Sequence, residues 1–307
     1  MADYKLASVQ TPKGPRAAVI VGDDVYDAAG LTGEPRYESM LGILRDWRAA
    51  NATLRKRILK PGKTKKTSLK RARLLAPVPN PGTVFCAGAN YTDHSAEMAR
   101  SEGRPPGPNM KEMGELPWHF LKTPASVIGP GAVVKLPPYS KAVDWEVELV
   151  AVIGRTAKDV PVAKALDYVA GYTIANDLSA RDVMKRDKVA PAAPFKFDWV
   201  SQKCFDGACP LGPWIVPAAQ IGNPHKLGLK LWVGDELMQD SNTERMIFDT
   251  AEQIAMLSSR VTLYPGDLVL TGTPAGVGMP RGRYLQPGET VRLWIEKIGE
   301  LVHRVTG

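Results

Sequence analysis

Two glutamates one residue apart are the first sign of chemistry in this chain. In Asp144-Trp145-Glu146-Val147-Glu148-Leu149-Val150, the two-residue period of a strand puts Glu146 and Glu148 on one face. Trp145, Val147 and Leu149 fall on the other. Adjacent carboxylates repel unless a cation lies between them, and a hard divalent ion such as Mg²⁺ takes oxygen ligands of this kind. The alternative is a solvated outer face opposed by lysines. Asp177 follows the mostly apolar run Gly171-Tyr172-Thr173-Ile174-Ala175-Asn176, where a strand is expected to end. Two Glu from one strand and an Asp from the end of its neighbour would build a three-carboxylate site open to water and substrate. Asp177 would serve equally well as the cap of a helical stretch over residues 178–184.

His94 and Glu97 are three apart in Tyr91-Thr92-Asp93-His94-Ser95-Ala96-Glu97, so on a helix they share a face. Glu97 would orient the imidazole and stabilise its protonated form, as a general base requires; an ordinary surface pair is the alternative. The chain has four histidines, with no pair at the i, i+4 spacing of a zinc helix. Lys203 and Lys122 both stand beside apolar or aromatic residues, where a purely solvating lysine is less expected. Either would neutralise an acidic substrate, or simply extend to the surface. The run Thr271-Gly272-Thr273-Pro274-Ala275-Gly276-Val277-Gly278 follows the strand-like Leu268-Val269-Leu270. Its glycines suit either a structural turn or a cradle of backbone N–H groups for a carboxylate. It matches neither the P-loop nor the dinucleotide fingerprint. Cys86, Cys204 and Cys209 lack a neighbouring histidine and a CxxC spacing, which argues against a thiol nucleophile and a disulfide framework.

These residues need elements to hold them. The 307-residue chain is long enough to bury a large core without disulfide or metal staples, and its composition is that of a globular protein. Strands are expected over residues 17–21 and 25–28, joined by a turn at Gly22-Asp23-Asp24, and at 83–87, 143–153, 168–175, 230–233, 267–270 and 290–295. One helical face carries Met40, Ile43, Leu44, Trp47, Leu54 and Ile58. Further helices are expected at 92–100, 162–166 and 250–259, the last opened by the capping-box pair Asp249 and Glu252. The breaker cluster Pro77-Val78-Pro79-Asn80-Pro81-Gly82 divides a small N-terminal module with a basic linker (1–75) from a catalytic domain (76–307). The class is α+β, mostly β. The net charge of +8 comes from ten Lys/Arg without an acid between Arg55 and Arg73. With no aromatics interleaved, this block is expected to be a solvated linker rather than a nucleic-acid surface. No apolar run approaches a membrane span and no secretory core follows Asp3 and Lys5, so a cytoplasmic protein is expected.

The order of motifs is more specific than any one of them. Asn90-Tyr91-x-x-His94-x-x-Glu97, Phe120-x-Lys122, Asp144-x-Glu146-x-Glu148, Asn176-Asp177, Ala180-Arg181-Asp182, Lys203-x-Phe205-Asp206, Leu211-Gly212-Pro213-Trp214 and Thr271-Gly272-Thr273-Pro274 together resemble the fumarylacetoacetate hydrolase family over residues 80–305. The resemblance implies a rolled mixed β-sandwich, a homodimer, and Mg²⁺ (or Mn²⁺ or Ca²⁺) held by Glu146, Glu148 and Asp177. It implies a His94–Glu97 dyad on a lid helix, Lys203 as the active-site lysine, and substrate contacts from Lys122, Arg181 and Thr273. The expected substrate is a small 2-oxo acid or 1,3-diketo acid, with no nucleic-acid or membrane partner. The expected reaction is C–C hydrolysis of an acylpyruvate. Decarboxylation or isomerisation of a 2-oxo dioate, of the 2-hydroxyhepta-2,4-diene-1,7-dioate isomerase type, is the alternative. Met184 stands where relatives acting on acylpyruvates or oxaloacetate often have Gln. Residues 98–117 and 185–200 are longer than is common and are expected to border the site.

Overall fold

The structure is a computed structural model and describes residues 3–307. The strand Val147–Ile153 has no exposed residue. Its alternation divides two cores: Trp145, Val147, Leu149, Ala151 and Ile153 pack into one, Val150 and Val152 into the other. A strand apolar on both faces must lie inside a sheet covered on both sides. It pairs antiparallel with Val169–Asn176 on one edge and Leu268–Leu270 on the other.

From this centre a twelve-stranded sheet extends both ways. One direction runs through Leu268–Leu270 and Val84–Ala87 to His119–Lys122. The other passes through Val169–Asn176, Cys209–Pro217, Lys5–Thr11, Gly14–Val21 and Asp24–Asp27 to Lys66–Ser68. A five-stranded sheet, ordered Glu236–Asn242, Gly228–Val233, Thr290–Ile295, Gly299–Thr306, Val133–Lys135, closes over one face. Leu229, Leu231, Leu293 and Leu301 from this smaller sheet meet Val147 and Leu149 in the first core. The second core joins Tyr4, Leu6, Tyr37, Ile43 and Leu54 to Cys86, Val150, Ala175 and Leu270. N-terminal residues therefore share both a sheet and a core with the rest of the chain. The fold is α+β and mostly β.

Most expected elements form, including the helix Thr250–Arg260 with its Asp249–Glu252 capping box. Four regions differ, the first being the single strand expected over 143–153, which is broken into Val143–Asp144, in a separate two-stranded sheet, and Val147–Ile153. The helical face at residues 40–58 is split into Met40–Arg45 and Trp47–Arg57 at Asp46, whose backbone leaves helical angles. The Asp46 carboxylate accepts the Tyr37 hydroxyl at 2.5 Å and pairs with Arg36 at 2.9 Å, which holds the chain at the break. The basic segment is solvated but is not a linker. Lys66–Ser68 is an edge strand paired with Asp24–Asp27, and Lys66 meets Asp24 at 2.7 Å. Cations along an exposed edge discourage pairing with another chain. Residues 178–184 form no α-helix: Ser179–Ala180 pairs with Val143–Asp144 and a 3₁₀ turn, Arg181–Val183, follows.

His303 is fully buried beside Asn176, whose Nδ2 donates to its Nε2 at 2.9 Å. Burial pushes its pKa down to about 4, below the ordinary histidine value of about 6.5. The folded state therefore stays neutral between pH 6.5 and 4 while the unfolded state takes up a proton. Stability from this group is complete above pH 6.5 and falls as pH drops toward 4, by roughly 3 kcal/mol in all. Urea titrations across that window should show a flatter pH dependence in His303→Gln than in the parent. An unchanged slope would mean that His303 is protonated in the fold.

Candidate active site

The pairing that centres the sheet also assembles the site. Val147 lies opposite Asn176 and Glu148 opposite Ala175, so Asp177 leaves its strand where Glu146 enters the neighbouring one. The Asp177 N–H donates to the Glu146 carbonyl at 2.9 Å. The three carboxylates of Glu146, Glu148 and Asp177 are buried, with one oxygen from each lying within 4.8 Å of the others.

Three cations compensate this charge. Lys203 Nζ reaches Glu146 Oε2 at 3.0 Å and Asp177 Oδ2 at 2.7 Å. Lys122 Nζ donates to Asp177 Oδ1 at 2.7 Å and to the Leu178 carbonyl at 3.0 Å. Arg181 donates to Asp144 Oδ2 at 2.9 Å and to Glu146 Oε1 at 2.5 Å. Burial opposes ionisation of Glu146, yet Lys203 and Arg181 overrule it and hold the carboxyl down at about 2. Burial would lower the Lys203 pKa, but Asp177 and Glu146 keep it above the ordinary lysine value. Glu148 has the opposite balance. Burial, reinforced by Asp177 and Glu146, pushes its pKa well above the usual carboxylate range. Its Oε2 accepts from the Gly272 N–H at 2.7 Å, while its buried Oε1 meets no hydrogen-bond partner. An all-oxygen set with one orphaned carboxylate oxygen fits a hard divalent cation. Glu146, Glu148 and Asp177 are the residues that would hold it.

The loop after Leu268–Leu270 is a cradle for the protein's own carboxylates. The Gly272, Gly276 and Gly278 N–H groups donate to Glu148 (2.7 Å), Glu97 (2.8 Å) and Asp144 (2.6 Å) respectively. Gly272 has φ +95°, and a Cβ there would stand 2.8 Å from Cβ of Asn90. Asn90 braces this turn, donating to the Thr271 and Phe248 carbonyls at 2.8 and 2.9 Å. The Thr273 hydroxyl donates to the Val147 carbonyl at 3.0 Å and accepts from Gln239 at 2.9 Å.

The helix Thr92–Ser101 brings His94 to the same place. Its Nδ1 is 4.0 Å from Glu97 Oε2, beyond hydrogen-bond range. Although burial works against it, Glu97 ionises below the ordinary glutamate value because His94 and the Gly276 N–H favour the charged form. A cavity of about 200 Å³ opens here, walled by His94, Glu146, Arg181, Lys203, Thr273, Met184, Gln202 and aromatic rings. Glu97 stands behind His94, and Lys122 lies behind the carboxylates with no exposed side-chain surface; neither is in the cavity wall. Trp199 borders the cavity, as expected of the 185–200 stretch. Residues 104–113 instead border a separate cavity of about 280 Å³ against the outer side of the His94 helix.

Asp144, Gln202 and Trp118 were not among the expected site residues. Asp144 shares the alternation of Glu146 and Glu148, and Trp118, Phe120 and Lys122 follow a two-residue period; those spacings were the available signals. Nothing local marks Gln202.

The model described as "Fumarylacetoacetate (FAA) hydrolase C-terminal" matches residues 83–306. The chain belongs to this family. It is 42% identical over 233 residues to the rat (Rattus norvegicus) protein named "Oxaloacetate tautomerase Fahd2a, mitochondrial", covering 75% of this chain and 68% of that one. A structure of 2-hydroxyhepta-2,4-diene-1,7-dioate isomerase from Mycobacterium marinum is similar with a TM-score of 0.72 at 31% identity, over 99% of this chain and 98% of its own. Maleylpyruvate hydrolase from Sphingobium sp. SYK-6, solved with manganese(II) and pyruvate, gives a TM-score of 0.73 at 27% identity over 98% of each chain. Tautomerase, isomerase and hydrolase are all named among these family members, so an enzyme is indicated while the individual reaction is not. No helix among the described residues is long and apolar enough to cross a membrane.

The Lys122–Asp177 pair is wholly buried. Removing one partner of such a pair leaves an uncompensated charge and typically costs about 3 kcal/mol. Lys122→Met should lose about that much in urea unfolding with chelator present. A loss under about 1 kcal/mol would mean that Lys203 compensates Asp177 alone.

Proposed function

We propose that this protein is a divalent-metal-dependent hydrolase that cleaves a C–C bond in an acylpyruvate or a related 1,3-diketo acid. The observation that carries the reading is one cavity walled by both Glu146, of the three-carboxylate cluster, and a single histidine backed by a carboxylate. Glu146, Glu148 and Asp177 would hold the ion, with Mg²⁺ as the first candidate. When bound, the ion supplies Lewis-acid polarisation of the adjacent 2-oxo and carboxylate oxygens.

With Nδ1 directed toward Glu97, His94 Nε2 is left to accept a proton from water, and Glu97 stabilises the imidazolium that forms. A separation of 4.0 Å is compatible with this, because such contacts often tighten only when substrate binds. The hydroxide adds to the distal carbonyl. The bond between that carbon and the pyruvyl methylene then breaks, and its electron pair moves onto the pyruvyl half as an enolate. The Lys203 ammonium stabilises the negative charge, and the proton held by His94 returns to the methylene carbon. The products are pyruvate and a carboxylic acid. Lys122 and Thr273 are better read as positioning residues, because their polar atoms are committed to Asp177 and to Val147 and Gln239. Arg181, in the cavity wall, remains a candidate substrate contact.

The tautomerase and isomerase relatives favour a second reading on the same residues, in which His94 only moves a proton and no carbon bond breaks. Mass analysis of products from an acylpyruvate and 2-oxo dioate panel distinguishes the two. Two acid fragments lost on adding EDTA support hydrolysis, while an unchanged mass with a shifted double bond supports isomerisation.

His94→Ala should cut turnover by about two to four orders of magnitude, the range for loss of a general base, while metal affinity stays within a few-fold of the parent. Full activity in that variant would remove His94 from the mechanism. Glu148→Gln should weaken Mg²⁺ binding measured by calorimetry; an unchanged affinity would refute the ligand assignment. The proposed homodimer is tested by sedimentation.

A further inference from the structure

We infer that the part of the substrate farthest from the carboxylates is an uncharged aromatic ring bearing a hydroxyl, received between an aromatic wall and Gln202. This rests on the reading that the 2-oxo acid head binds at Glu146, Glu148 and Asp177.

Three observations converge. The first is the wall. Trp118, Phe120 and Trp199 stand with ring centroids 5.0, 5.5 and 5.6 Å apart, and all three line the cavity with Met184. Trp118 lies so close over Gly88 that a Cβ there would come within 2.1 Å of the ring. Yet Trp118 remains 47% exposed, an apolar area that a flat ligand would cover. Rings so placed offer stacking to another ring and, apart from the indole N–H of each tryptophan, nothing to a carboxylate.

The second is an unpaired polar group. Gln202 lines the same cavity and is 1% exposed, and its Oε1 has no hydrogen-bond partner. A buried amide oxygen without a partner carries a desolvation penalty that a ligand donor would relieve. A hydroxyl suits it whichever way the amide is turned, since it both donates and accepts.

The third is charge. Asp144, Glu146 and Asp177 are matched by Lys122, Arg181 and Lys203, while Glu148 meets no cationic side chain and adds one formal negative charge when ionised. A divalent ion reverses this to one positive charge, and a single 2-oxo carboxylate then brings the sum to zero. A second carboxylate on the substrate would be buried against rings, with Arg181 and Lys203 each already shared between two carboxylates and left only to serve the 2-oxo acid head. That cost is large in a water-poor site.

Calorimetric binding in saturating Mg²⁺ tests this without turnover. The probes are phenylpyruvate, 4-hydroxyphenylpyruvate, 2-oxoglutarate as a stable dianion, and oxalate as the head alone. Both aryl acids should bind at least tenfold tighter than 2-oxoglutarate. The hydroxylated acid should exceed phenylpyruvate by three- to tenfold, the worth of one neutral hydrogen bond. In Gln202→Leu that hydroxyl preference should fall to about one; it is a ratio within one preparation, so partial misfolding cancels. Trp199→Leu should weaken the aryl acids more than oxalate. Oxalate binding with 2-oxoglutarate equal to or tighter than the aryl acids overturns the inference and leaves the head site standing. A hydroxyl preference that survives Gln202→Leu also overturns it. Failure of oxalate to bind in Mg²⁺ overturns the head site as well.

Discussion

Burying four carboxylates at the end of one sheet is the constraint on which this molecule is organised. Asp144, Glu146, Glu148 and Asp177 are each almost wholly shielded from water. An isolated buried carboxylate either finds a partner or takes up a proton. The protein uses both responses. Glu146 is held ionised by Lys203 and Arg181, whereas Glu148 receives one backbone donor and is driven toward its neutral form. That contrast identifies Glu148 as the member of the set with unused capacity for a cation. It would also make proton and metal competitors for the same carboxylate.

The main chain completes what the cations leave undone. Gly272, Gly276 and Gly278 direct successive N–H groups at Glu148, Glu97 and Asp144. Side chains would obstruct this. A Cβ at Gly276 would fall 2.1 Å from the Met238 carbonyl, and one at Gly278 would fall 1.9 Å from the Arg283 carbonyl. Glycine is required there because three carboxylates and a neighbouring backbone must approach one loop closely. Gln239 fastens that loop to both sheets and Asn90 fastens it to the Phe248 carbonyl, through bonds of 2.8 to 3.0 Å. The turn expected either as punctuation or as an anion cradle is thus both at once, with anions supplied by the chain itself.

How much of this was legible in the sequence follows from the range of each interaction. The face shared by Glu146 and Glu148 and the strand end at Asp177 depend on local periodicity, and both were readable. What the lysines do was not, because Lys122 finds Asp177 across 55 residues, through strand pairing that no local pattern specifies. The strand Cys209–Pro217 was missed for a related reason: its three prolines read as loop, yet it sits inside the larger sheet between Lys5–Thr11 and Val169–Asn176. Proline forfeits only its own N–H, and the register break between Tyr172 and Ile174 accommodates the interrupted ladder. The helix break at Asp46 likewise turns on a side-chain bond to Tyr37, while the apolar spacing continues undisturbed across it. The edge strand Lys66–Ser68 was hidden by charge, which describes where a segment is solvated and not whether its backbone is paired.

The helix carrying His94 is tied into this arrangement rather than laid over it. Asp93 accepts from Ser241 at 2.6 Å, and Glu97 accepts from Gly276 in the loop that also serves Glu148. The proposed base and the proposed ion site therefore hang from one backbone segment, only four residues apart along it. A displacement of that loop moves the two together, which keeps imidazole and carboxylates in mutual register. The His94–Glu97 contact is the part left loose, at 4.0 Å. Under the proposed mechanism, a site built this way would spend its rigidity on the spacing between base and reacting carbon. It would leave the His94–Glu97 hydrogen bond free to strengthen in the transition state, the distribution that favours rate over ground-state binding.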